Sequence, residues 1–160
     1  MNFYKILQKL GYKSSNKINN QIFIGDCIAS KDREFLKNNN INVIVNCSQH
    51  IEFIKCSKIK KYRVNLNDDM CYSTIVLMVK YFKYLIPILN KHIENGDKIL
   101  IHCRCGMQRS ATILAGLLMY RYKIGKWEAM RIIKAKRFIT FLPNSNYGLS
   151  LDIYENFLFK

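Results

Sequence analysis

The run Ile99-Leu100-Ile101-His102, followed at once by a glycine-bearing loop and then by a helical pattern, constrains this chain more than any other stretch. Its unbroken apolar character suits a strand buried on both faces. The loop reads Cys103-Arg104-Cys105-Gly106-Met107-Gln108-Arg109, and the segment from Ser110 to Tyr122, rich in helix formers and free of proline, predicts a helix that begins where the loop ends. A buried strand, a tight loop and a helix in this order are the unit of an α/β fold. They also set the loop's N–H groups at the positive end of a helix, where an anion is stabilised.

Each loop position has a chemical use. The strand delivers the Cys103 sulfur to the interior, and Gly106, lacking a Cβ, lets the chain take positive φ and bring its amides close to a ligand. The amides of Arg104, Cys105, Gly106, Met107 and Gln108 can surround a tetrahedral oxyanion while Arg109 grips it in a two-point fork. Phosphate is the expected ligand, and Arg104 adds local positive potential. In that field a thiol ionises more easily, and the thiolate is the species that attacks. Ser110 is placed to steady the sulfur when it later departs. The plain alternative is a strand-to-helix turn with an unreactive buried cysteine, but His, Cys, Gly, Arg and Ser in one register favour the active reading. A leaving oxygen departs faster when it is handed a proton. Asp68 and Asp69, on the loop between Tyr62–Leu66 and a helix from Ser73, are the acids available.

The nonapeptide His102 to Ser110 resembles the signature of the cysteine-dependent protein tyrosine phosphatase superfamily, and its setting resembles the small (atypical) dual-specificity phosphatases. Gln21-Ile22-Phe23-Ile24-Gly25 is similar to the family's first strand and Ile41 to Cys47 to its next. Arg109 through Met119, then Trp127-Glu128-Ala129-Met130, Lys136-Arg137, Pro143-Asn144 and Tyr154-Glu155 follow in the family's order. The resemblance implies a single tyrosine-phosphatase-like α/β domain over residues 19–160, with a central, mostly parallel sheet flanked by helices on both faces, behind an N-terminal extension, 1–18. It implies hydrolysis of phosphotyrosine and phosphoserine or phosphothreonine esters through a cysteinyl-phosphate, without a cofactor. Cys103, Arg109, Asp68 and Ser110 are then catalytic, with Asp69 the reserve acid, and His102 orders the loop and favours the thiolate. Some relatives carry a partner thiol near Cys47, which makes Cys47 a candidate redox partner, with Cys105 competing and an inert core thiol as the plainer reading. Gln108, Cys105 and Ser150 depart from the family pattern. An RNA 5′-triphosphatase or a phosphoinositide phosphatase would use the same loop. The first usually shows a further histidine and an Arg-Thr-Gly ending, the second lysines in the loop, and both features are missing here. A catalytically dead phosphoprotein-binding module is the minor alternative.

The rest of the chain supports one compact unit. Its 160 residues, 49% apolar, suffice for a single core. Ser30 is expected to cap a short helix with Asp32 and Glu34 in its first turn. A long helix from Ser73 closes near Gly96 with a kink at Pro87, and further helices start at Lys126 and about Asn146. The stretches Asn16–Gln21 and Asn38–Asn40 read as loops. Phe3–Leu10 reads as an extra helix that packs on the domain or on a second copy, the candidate homodimer contact. His50 and His92 read as surface residues. No run of eighteen apolar residues suggests a membrane span. Six cysteines lack paired metal-type spacing, and the lone Cys-x-Cys at Cys103 and Cys105 is not a zinc site. Met1 to Gly11 has no apolar leader core, so a reducing, cytoplasmic setting is expected. Lys, Asn and Ile are abundant together, as in AT-rich viral and parasite genomes, and for a viral chain that setting would be the host cell. The net charge of +15 attracts polyanions. The lysines are scattered and no base-stacking motif accompanies them, so phosphorylated proteins are the expected partners, with no obligatory nucleic acid.

Overall fold

Three short segments rich in isoleucine, valine and leucine become the centre of the sheet, because such side chains favour extended backbone and here find apolar cover on both sides. The computed structural model describes residues 3–160, residues 3 and 4 by their backbone only. Strands β1 (Ser15–Lys17), β2 (Ile22–Gly25), β3 (Val43–Asn46), β4 (Lys60–Arg63) and β5 (Ile99–His102) form one sheet in the order β1-β2-β5-β3-β4. β5 lies in the middle, parallel to β2 and β3, and β4 is parallel to β3. β1 alone runs antiparallel, against β2. The period of two sorts the side chains: Ile22, Ile24, Val43, Val45, Ile99 and Ile101 point to one face, Phe23, Ile44 and Leu100 to the other.

The helices cover these faces unequally. On the first lie α3 (Tyr72–Glu94), α4 (Arg109–Tyr122), α5 (Lys126–Lys136) and α6 (Gly148–Phe159), while α2 (Arg33–Asn38) packs Leu36 on the second, and α1 (Phe3–Lys9) precedes the sheet. α4 is the innermost, buried from Arg109 to Met119. A Cβ on its Gly116 would stand 2.9 Å from the Phe82 ring, so this glycine sets how closely α3 and α4 approach. Met78, Val79, Phe82, Leu85, Ile86, Leu89 and Ile93 of α3 face the core at helical spacing, Pro87 lies within the helix, and Gly96 at φ +87 follows its end. By length and composition α3 would pass for a membrane-crossing helix, but here its apolar face is packed in the core.

Several local expectations change. Asp32, not Ser30, caps α2: its Oδ1 accepts the Phe35 N–H at 2.9 Å, while Ser30 sits in a preceding 3₁₀ turn, Ala29–Lys31, and donates to the Cys27 carbonyl. The stretch read as a loop from Asn16 begins within β1, a strand held by backbone pairing rather than by an apolar pattern. The Ile41 strand starts at Val43. His92 is not a surface residue: it is part-buried between Tyr62 and Asp97. His50 is exposed. In α1, Leu7 packs into the protein while Ile6 and Leu10 remain exposed.

Candidate active site

The carbonyls of the loop after β5 are all turned to partners outside it. Cys103 O accepts from His102 Nδ1 at 3.3 Å, Arg104 O from Cys27 N at 3.1 Å, and Cys105 O from Arg137 Nη2 at 2.9 Å. Gly106 O accepts from Arg137 Nε and Met107 O from Phe141 N, both at 2.9 Å, and Gln108 O from Thr112 N and Oγ1 at 2.8 Å. With the C=O groups pulled outward, the opposed N–H groups are left to the concave side, and the Gly106 N–H accordingly donates to Cys103 Sγ at 3.2 Å. Ser110, in the first turn of α4, donates its hydroxyl to the same sulfur at 3.2 Å. The thiol is 2% exposed. Gly106 is needed twice: its φ is +65, and a Cβ there would lie 2.5 Å from the Gly25 carbonyl oxygen.

Arg109 opens α4 and is buried, with its Nη1 donating to Leu66 O at 3.0 Å. Its Nε is buried without a hydrogen-bond partner. An orphaned guanidinium N–H is expensive, which singles this donor out beside the loop. Asp68 Oδ2 stands 3.6 Å from that Nε, a charge contact rather than a hydrogen bond, with the carboxylate half-exposed at the mouth of the loop. Asp69 is used elsewhere. Its Oδ1 accepts from Thr74 Oγ1 at 2.6 Å and Cys71 N at 3.0 Å, fixing the start of α3, and these bonds, the Thr74 bond first, hold its carboxyl below the ordinary carboxylate range. The structure thus separates two acids that the sequence left side by side. Tyr147, buried under this loop, donates to Asn67 O at 2.6 Å and braces the residue ahead of Asp68.

Other expected residues fall into place around this centre. His102 is buried at the end of β5, and burial pushes its imidazole down to about 4, so it stays neutral and donates from Nδ1. Cys47 follows β3, its N–H bonded to His102 O at 2.7 Å, and burial pushes its thiol well up, against a smaller opposite pull from the Arg109 guanidinium. All six cysteines are unbridged. Arg104 is exposed, and Cys105 and Met107 are half-buried. Gln108, expected to face the substrate, uses its side chain otherwise: Nε2 donates to Leu142 O and Asn144 O, both at 2.9 Å, and Oε1 accepts from Asn146 N. Its backbone amide is what it can offer a ligand. Among the described residues, no group of three or more His, Cys, Asp or Glu side chains could hold a metal ion.

Sequence reasoning missed two buried residues. Asp26 accepts the N–H groups of Ile28 and Ala29 and the Tyr12 hydroxyl, fixing the turn whose Cys27 holds Arg104. Arg137, read only as part of a basic pair, supplies two of the bonds to the loop carbonyls. Neither carries a sequence signal, because a lone Asp in a turn and a basic residue at a helix end are ordinary surface features.

A buried cysteine whose sulfur accepts from a loop amide and a helix hydroxyl thus stands at the carboxyl end of the central parallel strand. The family model described as dual specificity phosphatase, catalytic domain, matches residues 22–157, and the chain belongs to this family of phosphoric monoester hydrolases. Among curated relatives, AMV078 of Amsacta moorei entomopoxvirus, a tyrosine-protein phosphatase by name, is 32% identical over 89% of this chain and 87% of its own. The dual specificity protein phosphatase 1B of Arabidopsis thaliana is 27% identical over 96% of this chain and 88% of its own. Human DUSP28 superposes with a TM-score of 0.82 at 20% identity, covering 92% of this chain and 96% of that one.

Proposed function

We propose that this chain hydrolyses phosphotyrosine and phosphoserine or phosphothreonine esters of proteins through a cysteinyl-phosphate, with Cys103 as nucleophile. The observation that carries this reading is the pair of donors aimed at Cys103 Sγ, Gly106 N and Ser110 Oγ, beside a buried Arg109 Nε that lacks a hydrogen-bond partner. The phosphoryl group enters the loop with its equatorial oxygens on the amides and the Arg109 fork. The sulfur forms an S–P bond in line as the ester P–O bond breaks, and Asp68 hands its proton to the departing oxygen. Water then attacks phosphorus, Asp68 takes the water's proton, the S–P bond breaks and inorganic phosphate leaves. Ser110 steadies the sulfur in that second departure. His102, neutral and buried, holds the Cys103 carbonyl and transfers no proton. The names of the viral and plant relatives support a protein substrate, and the +15 charge favours phosphorylated, acidic targets. The six unbridged thiols, one of them the nucleophile, suit a reducing cytoplasmic setting.

The test is a turnover panel of phosphotyrosyl peptide, phosphothreonyl peptide, triphosphate-ended RNA and phosphoinositide, run with the unaltered chain and with Cys103→Ser. The expected result is turnover of both peptides by the unaltered chain, none by the serine variant, and retained capture of phosphopeptide by that variant. Preference for RNA or lipid by orders of magnitude would transfer the site to those substrates. Capture without turnover by the unaltered chain would make it a binding module.

A further inference from the structure

Arg137 is 2% exposed and carries a full charge, yet no carboxylate among the described residues forms an ion pair with it. A buried, unpaired guanidinium is costly unless its donors are satisfied. Here all five are placed. Nε meets Gly106 O and Nη2 meets Cys105 O, both at 2.9 Å; Nη1 meets Lys13 O and Asn16 Oδ1, both at 2.7 Å; the second Nη2 donor points to the Tyr12 hydroxyl at 3.5 Å. The Tyr12 ring lies under the guanidinium, 5.1 Å from its carbon, and the Tyr12 hydroxyl donates to Asp26. One side of the guanidinium therefore grips the anion loop, and the other is gripped by residues 12–16.

Those residues lie ahead of the segment the family model matches, which starts at residue 22. They are nevertheless built into the sheet, since Asp26 N bonds Ser14 O at 2.9 Å and Ser15 pairs with Gly25 in β1–β2. The same Gly25 carbonyl lies against Gly106. Lacking a carboxylate, Arg137 keeps its positive charge directly behind two loop carbonyls. Bonded this way, each C=O polarises its peptide group, and the opposed N–H groups become better donors toward an anion.

We propose that the Tyr12–Asn16 segment is a clasp that holds the anion loop in its oxyanion-binding shape through Arg137, which makes Arg137 a positioning residue for the loop. The proposal rests on the reading of Cys103–Ser110 as the phosphoryl site. It extends the working unit to residues N-terminal of the matched domain, and a chain begun at residue 19 would lose the far half of the grip.

The test uses the full chain and does not need turnover. Asn16→Ala removes one bond of the clasp, and Gln21→Ala is its control, losing bonds to Ile93 O and Asp97 O at the opposite end of the sheet. Two readings are taken by mass mapping of the Cys103 peptide: the rate of alkylation by iodoacetamide at neutral pH, and protection by inorganic tungstate as a phosphate mimic. Thermal midpoints are recorded in parallel. Asn16→Ala is expected to weaken tungstate protection by on the order of tenfold, the factor that ~1.4 kcal/mol represents, and to slow Cys103 alkylation. Gln21→Ala is expected to lower the midpoint while leaving both readings at the unaltered level. Unchanged readings in Asn16→Ala, or equal losses in Gln21→Ala, overturn the clasp. An unaltered chain that binds tungstate but hydrolyses no phosphoester would instead remove the proposed activity and leave this test standing.

Discussion

The two ends of β5 carry polar clusters of opposite character. Before the strand, Tyr62 donates to His92 Nε2 at 2.7 Å, His92 Nδ1 donates to Asp97 Oδ2 at 2.5 Å, and Asp97 Oδ1 accepts from Asn42 Nδ2 at 2.6 Å. Asn42 in turn accepts from Lys98 N at 2.8 Å. By residue type this Tyr-His-Asp series looks like a proton relay, but it closes on itself and ties the end of α3 to β4 and to the start of β5. After the strand, the Cys103 loop does the reverse: its carbonyls are bonded, while the buried Arg109 Nε has no hydrogen-bond partner. The contrast teaches that a series of catalytic residue types can be spent wholly on structure.

The contrast can be broken or sharpened by substitution. Asp68→Asn is expected to have the largest effect, lowering kcat for alkyl phosphoesters by ~10²–10⁴ and much less for aryl esters with good leaving groups. Asp69→Asn is expected to keep kcat and lower the thermal midpoint, because its carboxylate holds Thr74 and Cys71. Kinetics on a leaving-group series checks both, and a reversed pattern assigns the proton to Asp69. Arg109→Lys keeps the charge but removes the planar fork, so kcat/KM is expected to fall by ~10²–10³.

A further effect is on the pH dependence of stability. Burial pushes His102 from 6.5 to about 4, so between those pH values the unfolded chain binds a proton that the fold refuses. Stability linked to His102 is therefore intact above about pH 6.5 and declines as the pH falls toward 4, by about 3 kcal/mol in all. Urea melts across this range should show that decline, and His102→Asn should flatten it. The smallest effect belongs to the other cluster. His92→Phe is expected to lower stability by about 1–2 kcal/mol through two lost hydrogen bonds and to leave turnover by Cys103 untouched. A loss of turnover there would show that the two ends of β5 are coupled.

The strand, loop and helix from Ile99 to Tyr122 were legible because burial on both faces, a glycine bend and a helix start leave strong local marks in sequence. The mostly parallel sheet and the apolar stripe of α3 were legible for the same reason. β1 was not, since Ser15-Asn16-Lys17 joins the sheet through backbone bonds to β2 and carries no apolar pattern. Asp32 and Ser30 are both good caps, and only the backbone geometry decides that Asp32 reaches the Phe35 N–H. In the site, Cys103, Gly106, Arg109 and Ser110 stand together as their spacing foretold. The resemblance ranked Asp68 ahead of Asp69, and the structure adds two contacts: Asp69 is bonded locally to Thr74, while Asp68 meets Arg109 from a distant segment. Arg137 and Asn16 are 121 residues apart, and no local pattern links them.

The outer border of the sheet carries a further consequence. β4 is the terminal strand on its side, and two of its four residues, Lys60 and Lys61, are exposed. A second copy adding its own β4 there would set ammonium groups opposite one another across a new ladder. Growth of the sheet into ordered fibrils is thereby opposed, and concentrated preparations should remain dispersed longest at low ionic strength, where that repulsion is least screened.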